Sequence, residues 1–275
     1  MNSEATRKRS RDAILINDGL NIVSRGKAKG IVLRLLGAIA IEVHTEKFKE
    51  LYHQLRRRET VEQFTDIDIV SYGAQRGDVH RLLVKELDYI IDRRFAAYFG
   101  ENRLLYHQPA QLYDIDVFFD RLIFSHDLYL GSRLGIGRLE SDYPTLSLAD
   151  LILEKLQIHE MNEKDIKDLI ALIMEHDVGA SDQSELINLD RISKVLADDW
   201  GFWFDGKVNL NLTLRFAEKY CGEGLVTKDE LGTVIGKVDM ILGSIEAEPK
   251  TRKWQKRAKT GTARPWWRDV EELVR

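Results

Sequence analysis

The chain has 275 residues, 41 basic and 45 acidic side chains, a formal charge of −4 and 44% hydrophobic residues. This is a normal globular composition, sufficient for one large domain or two small ones. No apolar run approaches the ~18 residues of a membrane span, and the opening MNSEATRKRSRD lacks the apolar stretch of a signal peptide. The single cysteine, Cys221, excludes an internal disulfide and a cysteine-based zinc site. The expectation is a cytoplasmic protein without a membrane partner.

The small net charge hides an asymmetry. Seven cations (Arg252, Lys253, Lys256, Arg257, Lys259, Arg264 and Arg268) lie between 252 and 268 without an acid, leaving −11 for the rest of the chain. Trp254, Trp266 and Trp267 share that segment. Cations mixed with indoles suit RNA or tRNA, by phosphate contact and base stacking. The alternative is a tail whose tryptophans pack on an acidic body.

In chain order, spaced apolar residues predict a helix over 10–25. Residues 31–37 read as a buried strand ended by Gly37, and 38–58 as helical material. Residues 64–71 alternate Asp66 and Asp68 with Ile67 and Ile69, as a half-buried strand does. A long amphipathic helix is predicted over 77–99, then strands over 103–107, 112–119 and 122–130. Beyond Pro144 the pattern turns helical: Ser147 opens a helix to 158, Asn162 caps one over 163–175, and 183–198, 207–220 and 227–246 follow. The predicted fold is α+β. A helical arm (1–28) and a small mixed-sheet domain flanked by helices (29–143) precede an all-helical domain with the basic tail (144–275).

The sharpest motif is Asp66-Ile67-Asp68. Residues i and i+2 of a strand share a side, with Cα atoms roughly 6.5–7 Å apart. Two such carboxylates repel unless a cation joins them, and an all-oxygen set suits Mg²⁺. A merely wet strand face is the alternative. Tyr113-Asp114-Ile115-Asp116-Val117 is a second acidic strand; if it lies beside the first, three or four carboxylates converge as two-metal phosphoryl transfer requires. Gly37-Ala38, where a strand turns into a helix, offers backbone N–H groups to a phosphate. Lys155 adjoins Leu151, Ile152 and Leu156, so it either snorkels or reaches a phosphate. Asp165 and Asp168 share a helix face.

Taken in order, Leu36-Gly37-Ala38, Asp66-Ile67-Asp68 and Ile115-Asp116-Val117 resemble the nucleotidyltransferase superfamily of the DNA polymerase β type. Leu151-Ile-Leu-Glu-Lys155-Leu-Gln and Lys164-Asp165-Ile-Lys-Asp168-Leu look like the later motifs of its AbiEii-type group, which includes toxin and defence components. The resemblance covers roughly residues 30–175. It implies a palm-like domain in which Asp66, Asp68 and Asp116 bind Mg²⁺ or Mn²⁺. Gly37 and Ala38 would face the phosphates of an NTP, and Lys155 and Asp165 would complete the site. The implied reaction moves an NMP from the NTP to RNA, a protein or a small molecule, with an antitoxin as a further partner. Ala38 stands where that family usually has Gly or Ser, and residues 38–65 form an unusually long connection that an inserted helix near 45–58 would fill. A catalytically degenerate member acting as a nucleic-acid or partner-binding module is the alternative.

Overall fold

Alternating acidic and aliphatic residues organise the first half of the chain around a sheet. The computed structural model describes residues 2–56 and 64–269, which form two units. The first comprises residues up to Val43, His53–Leu122 and Tyr129–Ser147. Helix α1 (Asn2–Ala28) buries Leu15, Ile22 and Val23, a stripe at helical spacing, and lies over strand β1 (Leu33–Leu36). Gly26 permits that approach, since a Cβ there would come 2.6 Å from Leu33 Cδ1. Helices α2 (Gly37–His44) and α3 (Lys49–Arg56) follow, the latter where an inserted helix was expected.

Strand β2 (Asp66–Ser71) comes next. The predicted 77–99 helix is not continuous. Helix α4 (Arg76–Arg81) runs into a π-helical turn over Leu82–Glu86, the chain reverses at Asp88 (φ 61°), and β3 (Ile90–Ile91) precedes α5 (Arg93–Phe99). Two aspartates account for the break. Asp88 adopts a left-handed conformation that ends a helix. Asp92 accepts from the N–H groups of Arg94 and Phe95, both at 2.9 Å, starting a new helix instead of continuing an old one.

Strands β4 (Arg103–His107) and β5 (Asp114–Phe119) complete a mixed sheet of order β1-β2-β5-β4-β3. Only the central β2–β5 pair is parallel. The strand expected over 122–130 is instead two short ones, β6 (Arg121–Ile123) and β7 (Asp127–Tyr129), paired with each other.

The second unit comprises His44–Tyr52, Ile123–Leu128 and the chain from Leu148 onward. Helices α6 (Leu148–Leu156) and α7 (Glu163–Glu175) follow the predicted pattern, and Asn162 caps α7 by accepting from Asp165 N–H at 3.1 Å. This half is not wholly helical. Strands β8 (Asp177–Gly179) and β9 (Leu186–Asn188) form a small parallel pair, and β9 takes the place of the start of the helix expected over 183–198. Helices α8 (Leu189–Asp198), α9 (Trp200–Gly222), α10 (Lys228–Ala247) and α11 (Arg252–Ala258) complete the unit. Its core includes Leu169, Ile173, Leu196, Leu210, Val238 and Ile241, all fully buried. Among the described residues, no helix is long and apolar enough to cross a membrane.

Candidate functional site

Period-two alternation sends Ile67, Ile69, Ile115 and Val117 into the core, each with no exposed surface, and leaves the intervening aspartates on the other side of their strands. The parallel β2–β5 register sets Asp66 beside Asp114 and Asp68 beside Asp116. Ligand oxygens of Asp66, Asp68 and Asp116 lie within 4.8 Å of one another. Asp66 and Asp68 are half-buried and Asp116 is fully buried. This trio contains carboxylates only, a hard donor set that fits Mg²⁺ or Mn²⁺, and its span suits one cation or a close pair.

Asp114, the other acid on β5, has a different partner. His107, directly opposite on β4, meets it through Nδ1 at 2.8 Å and reaches Asp92 through Nε2 at 3.3 Å. The Asp114 hydrogen bond raises the His107 imidazole above its ordinary pKa against the opposing effect of burial, with Asp92 adding to the rise. Asp92 is itself held below the usual carboxylate value, chiefly by the Phe95 N–H.

Arg103 is a site residue that sequence reasoning missed. Its Nε and Nη2 donate to the two oxygens of Asp116 at 2.9 and 2.8 Å, a two-pronged ion pair. Leu105 pairs with Asp116 across β4 and β5, so Arg103 is a diagonal neighbour on the same face. Each carboxylate oxygen has two lone-pair directions, so this fork leaves room for a cation on Asp116.

Gly37 also meets the trio. It has φ 67°, and a Cβ built on it would lie 2.6 Å from Asp68 Oδ2. Leu36 pairs with Asp68, and α2 begins immediately after, so the strand-to-helix turn is set against the second acid. Ala38 follows half-buried in the first turn of that helix.

Lys155, Asp165 and Asp168 come together within the second unit. Lys155 Nζ lies 2.9 Å from Asp165, 3.1 Å from Asp168 and 3.8 Å from Glu154, and Tyr52 donates to Asp168 at 2.8 Å. Burial pulls the ammonium toward neutrality, but the three carboxylates outweigh it and hold its pKa well above the ordinary lysine value. Lys155 is therefore a buried, ion-paired residue and does not snorkel. With Asp165, His159 and Trp267 it also lines a cavity of about 560 Å³.

The basic tail docks on its own unit. Trp254 sits edge-on to Trp203, Trp267 stacks on His159 at 3.7 Å, and Trp266 Nε1 donates to the buried Asp205 at 2.9 Å. His126 and His159 also contact Asp205, at 2.8 and 3.0 Å. Lys253 pairs with Asp198 and Asp199, and Arg268 with Asp127. All three tail tryptophans remain half-buried, and Arg252, Lys256, Lys259 and Arg264 are exposed. Comparison with family models, curated proteins and solved structures finds no match for the chain.

Proposed function

We propose that the chain is a metal-dependent nucleotidyltransferase that moves an NMP from an NTP to an acceptor, releasing pyrophosphate. The observation that supports it best is the convergence of Asp66, Asp68 and Asp116 from adjacent parallel strands, with Gly37 against Asp68. Mg²⁺ or Mn²⁺, when bound by the three aspartates, would supply charge stabilisation to the transferring phosphoryl group. Asp116 is the acid on the side of the attacking hydroxyl, and Arg103 fixes its orientation. The N–H groups of the first turn of α2, beginning at Ala38, are the donors for the triphosphate. Lys155 acts in this reading by keeping Asp165 and Asp168 charged and fixed, since its ammonium is already shared between them. The setting is the cytoplasm, and a toxin or defence role with an antitoxin partner follows from the motif resemblance.

A second reading is a catalytically degenerate member of that superfamily that binds nucleic acid or a partner through 252–268. It is favoured by Ala38, which lacks a hydroxyl, and by the exposed Arg252, Lys256, Lys259 and Arg264. Incubation with each labelled NTP, Mg²⁺ or Mn²⁺ and total tRNA separates the two. Label transfer abolished by Asp68→Asn supports the enzyme. RNA binding without transfer under any NTP supports the binding module.

A further inference from the structure

A second group of ligating side chains lies wholly within the other unit. His44 ends α2, His176 immediately precedes β8, and Glu185 immediately precedes β9. Ligand atoms of the three lie within 4.8 Å of one another. The Glu185 carboxylate bridges the imidazoles, one oxygen 3.0 Å from His44 Nδ1 and the other 3.1 Å from His176 Nδ1. Both histidine side chains are almost fully buried, at 4% and 3% exposure, whereas that of Glu185 is 56% exposed.

Three features mark this group as built rather than incidental. The backbone that carries the imidazoles is held by its surroundings: Glu175 accepts from the N–H groups of Lys47 and Phe48, both at 2.9 Å, tying the segment after His44 to the end of α7. Lys237 donates to the carbonyl of His176 at 2.7 Å, holding that same end from α10. Next, Glu185 has φ 60°, a left-handed conformation that a non-glycine residue adopts at a cost and that tends to mark functional positions. The parallel register that pairs Asp177 with Leu186 brings Glu185 to the side of His176 one step earlier. Finally, the two buried rings stand edge-on with centroids 5.7 Å apart, and Glu185 engages each of them at Nδ1.

We propose that His44, His176 and Glu185 bind a divalent transition-metal ion of the Zn²⁺ type, with water in the remaining position. Two imidazoles and one carboxylate select such an ion over Mg²⁺, which prefers oxygen throughout. Nitrogen and oxygen donors about 2.1 Å from a tetrahedral ion stand about 3.4 Å apart. That is a few tenths of an ångström beyond the present contacts, and the exposed Glu185 side chain can make the adjustment. The ion would clasp the β8–β9 connection onto the buried histidines, and the open side of Glu185 leaves it reachable by solvent.

The test uses the untagged full chain, freed of metal with a chelator and titrated with Co²⁺ and then Zn²⁺. One equivalent of Co²⁺ should give the visible bands of a four-coordinate site, and Zn²⁺ should displace it. Glu185→Gln is a mild change at an exposed side chain, and it should weaken Zn²⁺ binding by about tenfold or more. Asp66→Asn/Asp116→Asn should leave that affinity unchanged. Absence of the bands, equal Zn²⁺ affinity in Glu185→Gln, or loss of binding in the double aspartate variant would each overturn the proposal.

Discussion

Arg103 and Asp116 form a two-pronged ion pair across β4 and β5, with contacts of 2.9 and 2.8 Å. Asp116 is fully buried, so removing the arginine takes away the countercharge of this ion pair. Arg103→Ala should lower stability by about 3 kcal/mol, the low end for breaking a buried pair, because the arginine is partly exposed. Arg103→Lys should fall between, keeping charge but losing the fork. Urea denaturation measures both. Mg²⁺ should raise the melting temperature of Arg103→Ala more than that of the wild type, since a cation on the aspartates replaces the missing charge.

Gly37 carries two constraints at once, a positive φ and the close Asp68 carboxylate. Gly37→Ala should cost about 1–3 kcal/mol from backbone strain alone, and it should also displace Asp68. Parallel measurements of urea stability and Mg²⁺ affinity should both fall. A variant that keeps its Mg²⁺ affinity would separate the turn from the acidic trio.

Lys155 sits among Asp165, Asp168 and Glu154, so Lys155→Ala should destabilise the second unit rather than leave folding intact. Because the folded-state pKa is raised, the contribution of this lysine is fully present below its unfolded value, about 10.4. It is lost only as pH climbs through the higher folded value. The stability gap between wild type and Lys155→Ala should therefore stay constant through neutral pH and close only in strong alkali.

His107 gives a different window. Its pKa is raised by the hydrogen bond to Asp114, so its stabilising contribution is complete below about 6.5 and is lost as pH rises through the folded value. Asp92 is depressed, so its contribution is present above the ordinary aspartate value, about 3.9, and is lost as pH falls. Thermal melts of His107→Gln and wild type should differ most in mildly acidic solution and converge toward alkaline pH.

The acidic strands were legible because aspartate alternates with isoleucine or valine at a period that matches the strand. Their adjacency was anticipated, but the partners were not. Arg103 joins Asp116 only through the β4–β5 register, and no spacing in the sequence encodes which strand will lie alongside. His44, His176 and Glu185 were missed for the same reason, since scattered residues acquire meaning only from the fold. The 77–99 segment misled because its apolar spacing suits a helix, while Asp88 and Asp92 act through local geometry that periodicity does not see. Strands β8 and β9 are three residues each, too short to show alternation.

The docked tail divides its work between packing and exposed charge. Trp266→Phe should cost about 1–2 kcal/mol, because the buried Asp205 loses a donor. Neutralising Arg252, Lys256, Lys259 and Arg264 together should leave the melting temperature unchanged. If RNA is the acceptor, the same variant should bind it more weakly with a flatter salt dependence, as fewer counterions are released.

The most direct measurement is transfer of label from α-labelled NTPs in the presence of Mg²⁺ or Mn²⁺, offered total tRNA, protein and small-molecule acceptors. The wild type should covalently label one acceptor class and release pyrophosphate, and Asp68→Asn and Asp116→Asn chains that still fold should lose that labelling. Absence of transfer under every NTP and both metals, or equal transfer by the folded aspartate variants, would contradict the proposed activity.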